Sequence, residues 1–148
     1  MTDSLFPDAL FALKRHKPVP YAFVLDAMTA VSPVTRPMFG SLAIYVQDKI
    51  VLILREKRNG TPDDGVWLAT TEEHHESLRR EFPNMRSIQV FRTPVTSWQL
   101  LPAAAPDFEE SALRACELIV ARDPRIGKVP KSRRTKAIRR VAKDRARP

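Results

Sequence analysis

Cysteine is nearly missing from this chain. Cys116 is the single one, so no intrachain disulfide can form and a reducing, cytoplasmic setting is expected. Glycine is scarce as well: Gly40, Gly60, Gly65 and Gly127 stand far apart. No glycine-rich phosphate cradle, dinucleotide fingerprint or Gly-x-Ser-x-Gly elbow can be written from them, which removes P-loop, Rossmann and serine-hydrolase readings. Long apolar runs are also lacking. The longest, Ile50-Val51-Leu52-Ile53-Leu54, falls far short of the ~20 residues of a membrane helix. Residues 1–20 place Asp3, Pro7 and Asp8 where a secretory signal would carry its apolar region, so no export signal and no membrane partner are expected.

The 148 residues are 43% hydrophobic and 28% charged, the balance of a globular domain with a sizeable core. The net charge of +8 is unevenly spread. Residues 128–148 hold ten Lys/Arg against one acid, Asp144, for a local +9; residues 1–127 hold fifteen bases and sixteen acids, for −1. The expected organisation is therefore an α+β domain over 1–127 and a basic, disordered tail over 128–148. Such asymmetry is a mark of chains that bind nucleic acid or another anionic surface.

The apolar pattern predicts a short helix over about 6–15, ended by Pro18 and Pro20, and a second over 21–31, stopped by Pro33. Residues 36–46 read as one strand, bent near Gly40. Residues 49–55 are apolar from Ile50 to Leu54, as in a central strand covered on both faces. Residues 57–65, with Asn-Gly and Asp-Gly, form a loop, and 66–69 a third strand. Thr70 and Glu73 have capping-box spacing for a helix over 72–82. Strands follow at 86–91 and 97–101. A last helix over 108–122 carries Ala112, Ala115, Cys116, Ile119 and Val120 as an apolar stripe. This order, α-β-β-β-α-β-β-α, predicts a two-layer antiparallel sheet packed against helices.

No catalytic, cofactor-binding or metal-ligating set emerges. His74-His75 lies among Glu72, Glu73 and Glu76, but adjacent imidazoles on a helix diverge by about 100°, so a solvated helix face is expected. Cys116 falls on an apolar stripe, where a cysteine acts as a small hydrophobe. Asp63-Asp64 and Glu109-Glu110 read as turn and helix-start acids. Arg79, Arg80 and Arg86 could meet an anion, but pairing with Glu76 and Glu81 is the commoner use. Trp67 and Trp98 sit in predicted strands, either as core or as stacking platforms for single-stranded nucleic acid. In the tail, Arg133, Arg134, Lys136, Arg139, Arg140 and Lys143 are the expected nucleic-acid contacts, giving salt-sensitive, sequence-independent affinity.

The stretch Thr35-Arg36-Pro37-Met38-Phe39-Gly40-Ser41-Leu42-Ala43-Ile44-Tyr45-Val46 resembles the TfoX (Sxy) N-terminal-domain family, with Arg36, Met38, Phe39 and Gly40 carrying the motif. The similarity extends over roughly 21–122. The family has a second glycine where this chain has Ser41, and another in the turn near Asp48. The segment 74–88 lies outside the pattern. The resemblance implies a secretion-chaperone-like fold and a binding or regulatory role associated with competence gene regulation. It transfers no catalytic residue.

The leading expectation is a non-enzymatic binding module that recruits a protein partner or a second copy, with its tail on nucleic acid. One alternative is a small-molecule binder or enzyme using the sheet face near Met38–Gly40 and Arg79–Arg86. Another is a protein-interaction domain whose tail only aids solubility.

Overall fold

The computed structural model describes residues 18–90 and 97–130. The helix expected over 6–15 and the tail contacts Arg133, Arg134, Lys136, Arg139, Arg140 and Lys143 lie outside the described residues. The fold is α+β, built on a six-stranded antiparallel sheet. In chain order the elements are α1 (Ala22–Asp26), a 3-10 turn (Thr29–Val31), β1 (Val34–Met38), β2 (Ser41–Val46), β3 (Lys49–Arg55) and β4 (Gly65–Leu68). A second 3-10 turn (Glu72–His74), α2 (His75–Glu81), β5 (Arg86–Ser87), β6 (Gln99–Pro102) and α3 (Phe108–Val120) follow. Across the sheet the strands run β1-β2-β3-β4-β6-β5.

The apolar run of β3 puts it third in this order, buried from Ile50 to Leu54. Two clusters divide between the faces of the sheet. The larger joins Ile44, Leu52, Leu54, Val66, Leu68 and Leu101 to helix residues Val24, Leu78, Ala112, Cys116 and Ile119 and to Phe82 just past α2. The smaller joins Ala43, Ile50, Ile53, Trp67, Ala69, Ile88 and Leu100, with Met38, Tyr45 and Trp98 at its margin. Among the described residues, this second cluster takes no member from a helix.

Four strands, not three, precede α2. Residues 36–46 do not form one bent strand; they reverse at Phe39-Gly40. Met38 pairs with Ser41, and the two turn residues have φ of 51° and 76°, the double positive φ of a type I′ hairpin. Glycine takes this conformation freely; phenylalanine does not, which is why the turn is hard to read from sequence.

Other boundaries differ from expectation too, and the helix expected over 21–31 is split into α1 and the first 3-10 turn. The Thr70–Glu73 capping box does not form. Ala69 N–H still bonds Val51 O across to β3, so the chain stays extended through buried Thr70 and the turn starts after Thr71. The strand expected over 86–91 ends at Ser87, because the N–H groups of Gln89 and Val90 are taken by the Asp63 carboxylate. At the other end of the domain, α3 closes in a Schellman motif. Arg122 has φ 61°, its N–H bonds Ile119 O, and Asp123 N–H bonds Leu118 O, which satisfies carbonyls the helix would otherwise leave open.

Candidate functional site

A β-bulge creates the most distinctive surface of the sheet. Tyr45 of β2 pairs with Ile50 of β3, but Ile44 pairs with Leu52, leaving Val51 as the extra residue. Strict alternation would put Ile50 on the helix-covered face with Leu52. The bulge absorbs one residue, so Val51 and Leu52 both join the helix-side cluster and Ile50 turns to the opposite face. Lys128 continues that row. It exchanges both backbone hydrogen bonds with Ile50, each 2.9 Å, and so adds a short rung to the sheet. The residue that opens the charge-defined tail is thus seated in the body.

Each end of this row carries an aromatic ring with a cation over it. The Arg36 guanidinium carbon stands 5.4 Å from the Tyr45 ring centre, and Lys128 Nζ stands 5.9 Å from that of Trp98. Both distances are within cation–π range. Lys128 Nζ also donates to Ser97 Oγ at 3.1 Å. Tyr45 and Trp98 are half-buried and Arg36 is exposed. Trp67 sits deeper, only 6% exposed. Its Nε1–H donates to Asp63 O at 2.8 Å, its ring meets Trp98 edge-on, and Arg55 lies over it at 5.7 Å. Trp67 is therefore core, while Trp98 is half-buried. Tyr45, which the sequence presents only as part of the hairpin motif, joins it.

The family-motif residues gather around the β1–β2 hairpin. Arg36 faces Tyr45, Met38 borders the second cluster, and Phe39 projects from the tip at 92% exposure. Lys57 Nζ donates to Phe39 O at 3.2 Å and lies where a side chain on Gly40 would go. Arg86 is on β5, at the opposite edge of the sheet from β1, about 24 Å away at the usual strand spacing. The surfaces near Met38–Gly40 and Arg79–Arg86 thus do not converge on one pocket.

The arginines are largely occupied. Arg80 pairs with Glu76 at 3.1 Å. Arg86 Nη1 donates to Asp63 Oδ1 at 3.1 Å and Nη2 to Pro62 O. The densest ionic cluster has Arg125 at its centre. Its guanidinium donates to Asp123 twice at 2.9 Å, to Ser77 Oγ at 2.7 Å and to Glu81, and Arg114 also holds Glu81. Burial pushes the Glu81 carboxyl up, but the hydrogen bonds from Arg114 and Arg125 outweigh it and leave the acid stronger than usual. The Arg125 hydrogen bonds likewise strengthen Asp123 against the opposing effect of burial. A carboxyl with a depressed folded-state pKa stabilises the fold above its unfolded value, near pH 4, and loses that contribution as pH falls further. Arg125→Met should therefore cost about 2 kcal/mol near neutral pH, on the scale of charge-assisted hydrogen bonds. The cost should shrink as pH is lowered below about 4. Urea melts of both proteins across that range test this; a pH-independent difference would refute it.

The histidines diverge. His75 is buried with Nε2 at 3.3 Å from Ser97 O, and desolvation lowers its pKa. His74 instead faces Glu73 at 3.6 Å. Among the described residues, no group of three His, Cys, Asp or Glu side chains is placed to hold an ion. Cys116 is buried against Val24 O, and burial raises its pKa to about 11, which leaves it a neutral thiol. A shallow crevice beside α3, lined by Asn84, Met85, Asp107, Phe108 and Ser111 among others, leaves no room even for a water molecule. No helix among the described residues is long and apolar enough to cross a membrane.

Comparison of the chain with known protein families, with curated proteins and with solved structures finds no match.

Proposed function

We propose that the protein is a non-enzymatic, cytoplasmic binding or regulatory module, related to the TfoX N-terminal domain and its secretion-chaperone-like fold, that contacts nucleic acid through its basic tail. The observation that carries the reading is the seat of Lys128. The segment of local charge +9 begins at a residue hydrogen-bonded into the sheet. The family relation draws support from the β1–β2–β3 meander around Met38-Phe39-Gly40. It also draws on the turn near Asp48: Gln47 there has φ 58°, a conformation suited to the glycine that the family carries nearby.

The test is nucleic-acid binding by the full chain and by a chain ending at Pro130, which keeps the Lys128 rung. Removing residues 131–148 takes away nine Lys/Arg and one acid. Affinity for RNA and DNA should fall steeply, and the dependence on salt between about 50 and 200 mM should flatten. Unchanged affinity after truncation would exclude the tail.

A second reading, a protein partner or second copy gripping the hairpin tip, is favoured by Phe39. Its φ of 51° costs about 1 kcal/mol for an L-residue, and at 92% exposure it gains almost no burial in return. Light scattering that gives the mass of one chain at every concentration would remove the self-association form of this reading.

A further inference from the structure

We propose that Pro33 and Pro37 close the free edge of β1 to strand pairing, so that a second copy of this chain does not extend the sheet there. β1 is the outer strand of the sheet. Its register with β2 around the two-residue turn makes Met38–Ser41, Arg36–Ala43 and Val34–Tyr45 the hydrogen-bonded pairs. The N–H groups of Val34, Arg36 and Met38 therefore point at β2. The alternate positions, 33, 35 and 37, point outward. Two of those three residues are proline, which has no N–H to give. Thr35 is left as the one outward backbone donor along this edge.

With donors at those two positions the edge would be open. Residues 34–37 are exposed, Val34 at 52%, so the strand can be approached from outside. An exposed edge with β-branched and apolar side chains is a template for pairing with another chain. A second β1 laid antiparallel, with Thr35 facing Thr35, would exchange the bonds at Thr35. On either side, Pro33 would face Pro37 of the other copy. There each ring meets a carbonyl to which it cannot donate. The opposite edge of the sheet is closed by other means. β5 is two residues long, and just beyond it the N–H groups of Gln89 and Val90 go to Asp63. The closed β1 edge also narrows the reading of Phe39: a partner of the hairpin meets side chains at the tip, not backbone along the strand.

Amide hydrogen exchange on the full wild-type chain tests the register. The Thr35 amide should exchange at least about a hundredfold faster than that of Arg36; a protected Thr35 amide would overturn the outward assignment. A second experiment restores the donors. Pro33→Thr combined with Pro37→Thr should tighten self-association at least about a hundredfold over the wild type in analytical ultracentrifugation, since each regained bond contributes on the order of fivefold. Adding Thr35→Lys sets like charges opposite each other across the new pairing and should reverse the gain. Adding Phe39→Ser should leave the gain intact, and Pro62→Thr, at an exposed loop proline, should leave the wild-type behaviour unchanged. Circular dichroism checks that each variant is folded. If the double variant is not, Pro37→Thr alone serves, with an expected gain of about tenfold. Unchanged association in a folded, donor-restored chain, or a gain that Phe39→Ser removes, would show that the prolines are not what closes the edge.

Discussion

Asp63→Ala should destabilise the protein by about 4 kcal/mol, because each of two backbone donors left unsatisfied costs about 1–3 kcal/mol. Asp63 is 4% exposed. Its carboxylate accepts the N–H of Gln89 at 2.9 Å, the N–H of Val90 at 2.8 Å and Arg86 Nη1 at 3.1 Å. Alanine would leave two backbone donors without their acceptor, while the Arg86 guanidinium would lose its carboxylate but keep Ser87 O and Pro62 O. Asp63→Asn should cost less, because it keeps one oxygen and the side-chain shape. Adding Arg86→Met to Asp63→Ala should recover part of the loss, since the stranded charge is removed with its partner. Urea denaturation of the four proteins measures each step. A loss for Asp63→Ala under about 1 kcal/mol would show that the segment 86–90 is held by something else.

The second large effect is expected two residues on. Gly65 has φ 145° and pairs with Pro102 across β4 and β6. A Cβ built there would stand 2.2 Å from Leu101 O and 2.9 Å from Ala103 N, contacts that involve backbone and cannot be relieved by a rotamer change. Gly65→Ala combines an unfavourable φ, about 1–2 kcal/mol, with overpacking of about 1–3 kcal/mol. The expected loss is thus about 3 kcal/mol, seen as a lower denaturation midpoint with little change in slope. A shift below about 1 kcal/mol would mean that β6 can move aside cheaply.

These two positions mark the limit of what the amino-acid pattern discloses. Apolar runs were legible because burial dictates them: Ile50 to Leu54 reads as a two-sided central strand and is one, and the stripe through Ala112, Cys116 and Ile119 faces the core. Asp63 was not legible. Asp-Asp-Gly is an ordinary turn signal, and nothing local says that one of the acids will fold inward to meet donors 26 and 27 residues away. The same holds for Arg125, whose four hydrogen bonds join α2 to the end of α3. The hairpin at Phe39-Gly40 was missed because its first turn residue is an aromatic in place of the usual Asn or Asp. At the candidate site, Trp67 and Trp98 were equivalent by type, and only three-dimensional burial separates them. Arg36 was named as a motif residue and Tyr45 only as part of the matching stretch. Their place in the row depends on a bulge, which a run of five apolar residues conceals because each is acceptable on either face.

The rung between Ile50 and Lys128 also has a consequence in time. Its two residues are far apart along the chain, so the loop they close is entropically costly and forms late relative to the local hairpins. During synthesis, β1 to β4 emerge long before Lys128, and the place beside Ile50 stays open until that residue arrives. Completion of the sheet therefore waits for the first residue of the basic segment. A ribosome-bound chain that has not yet released Lys128 would hold an unfinished sheet.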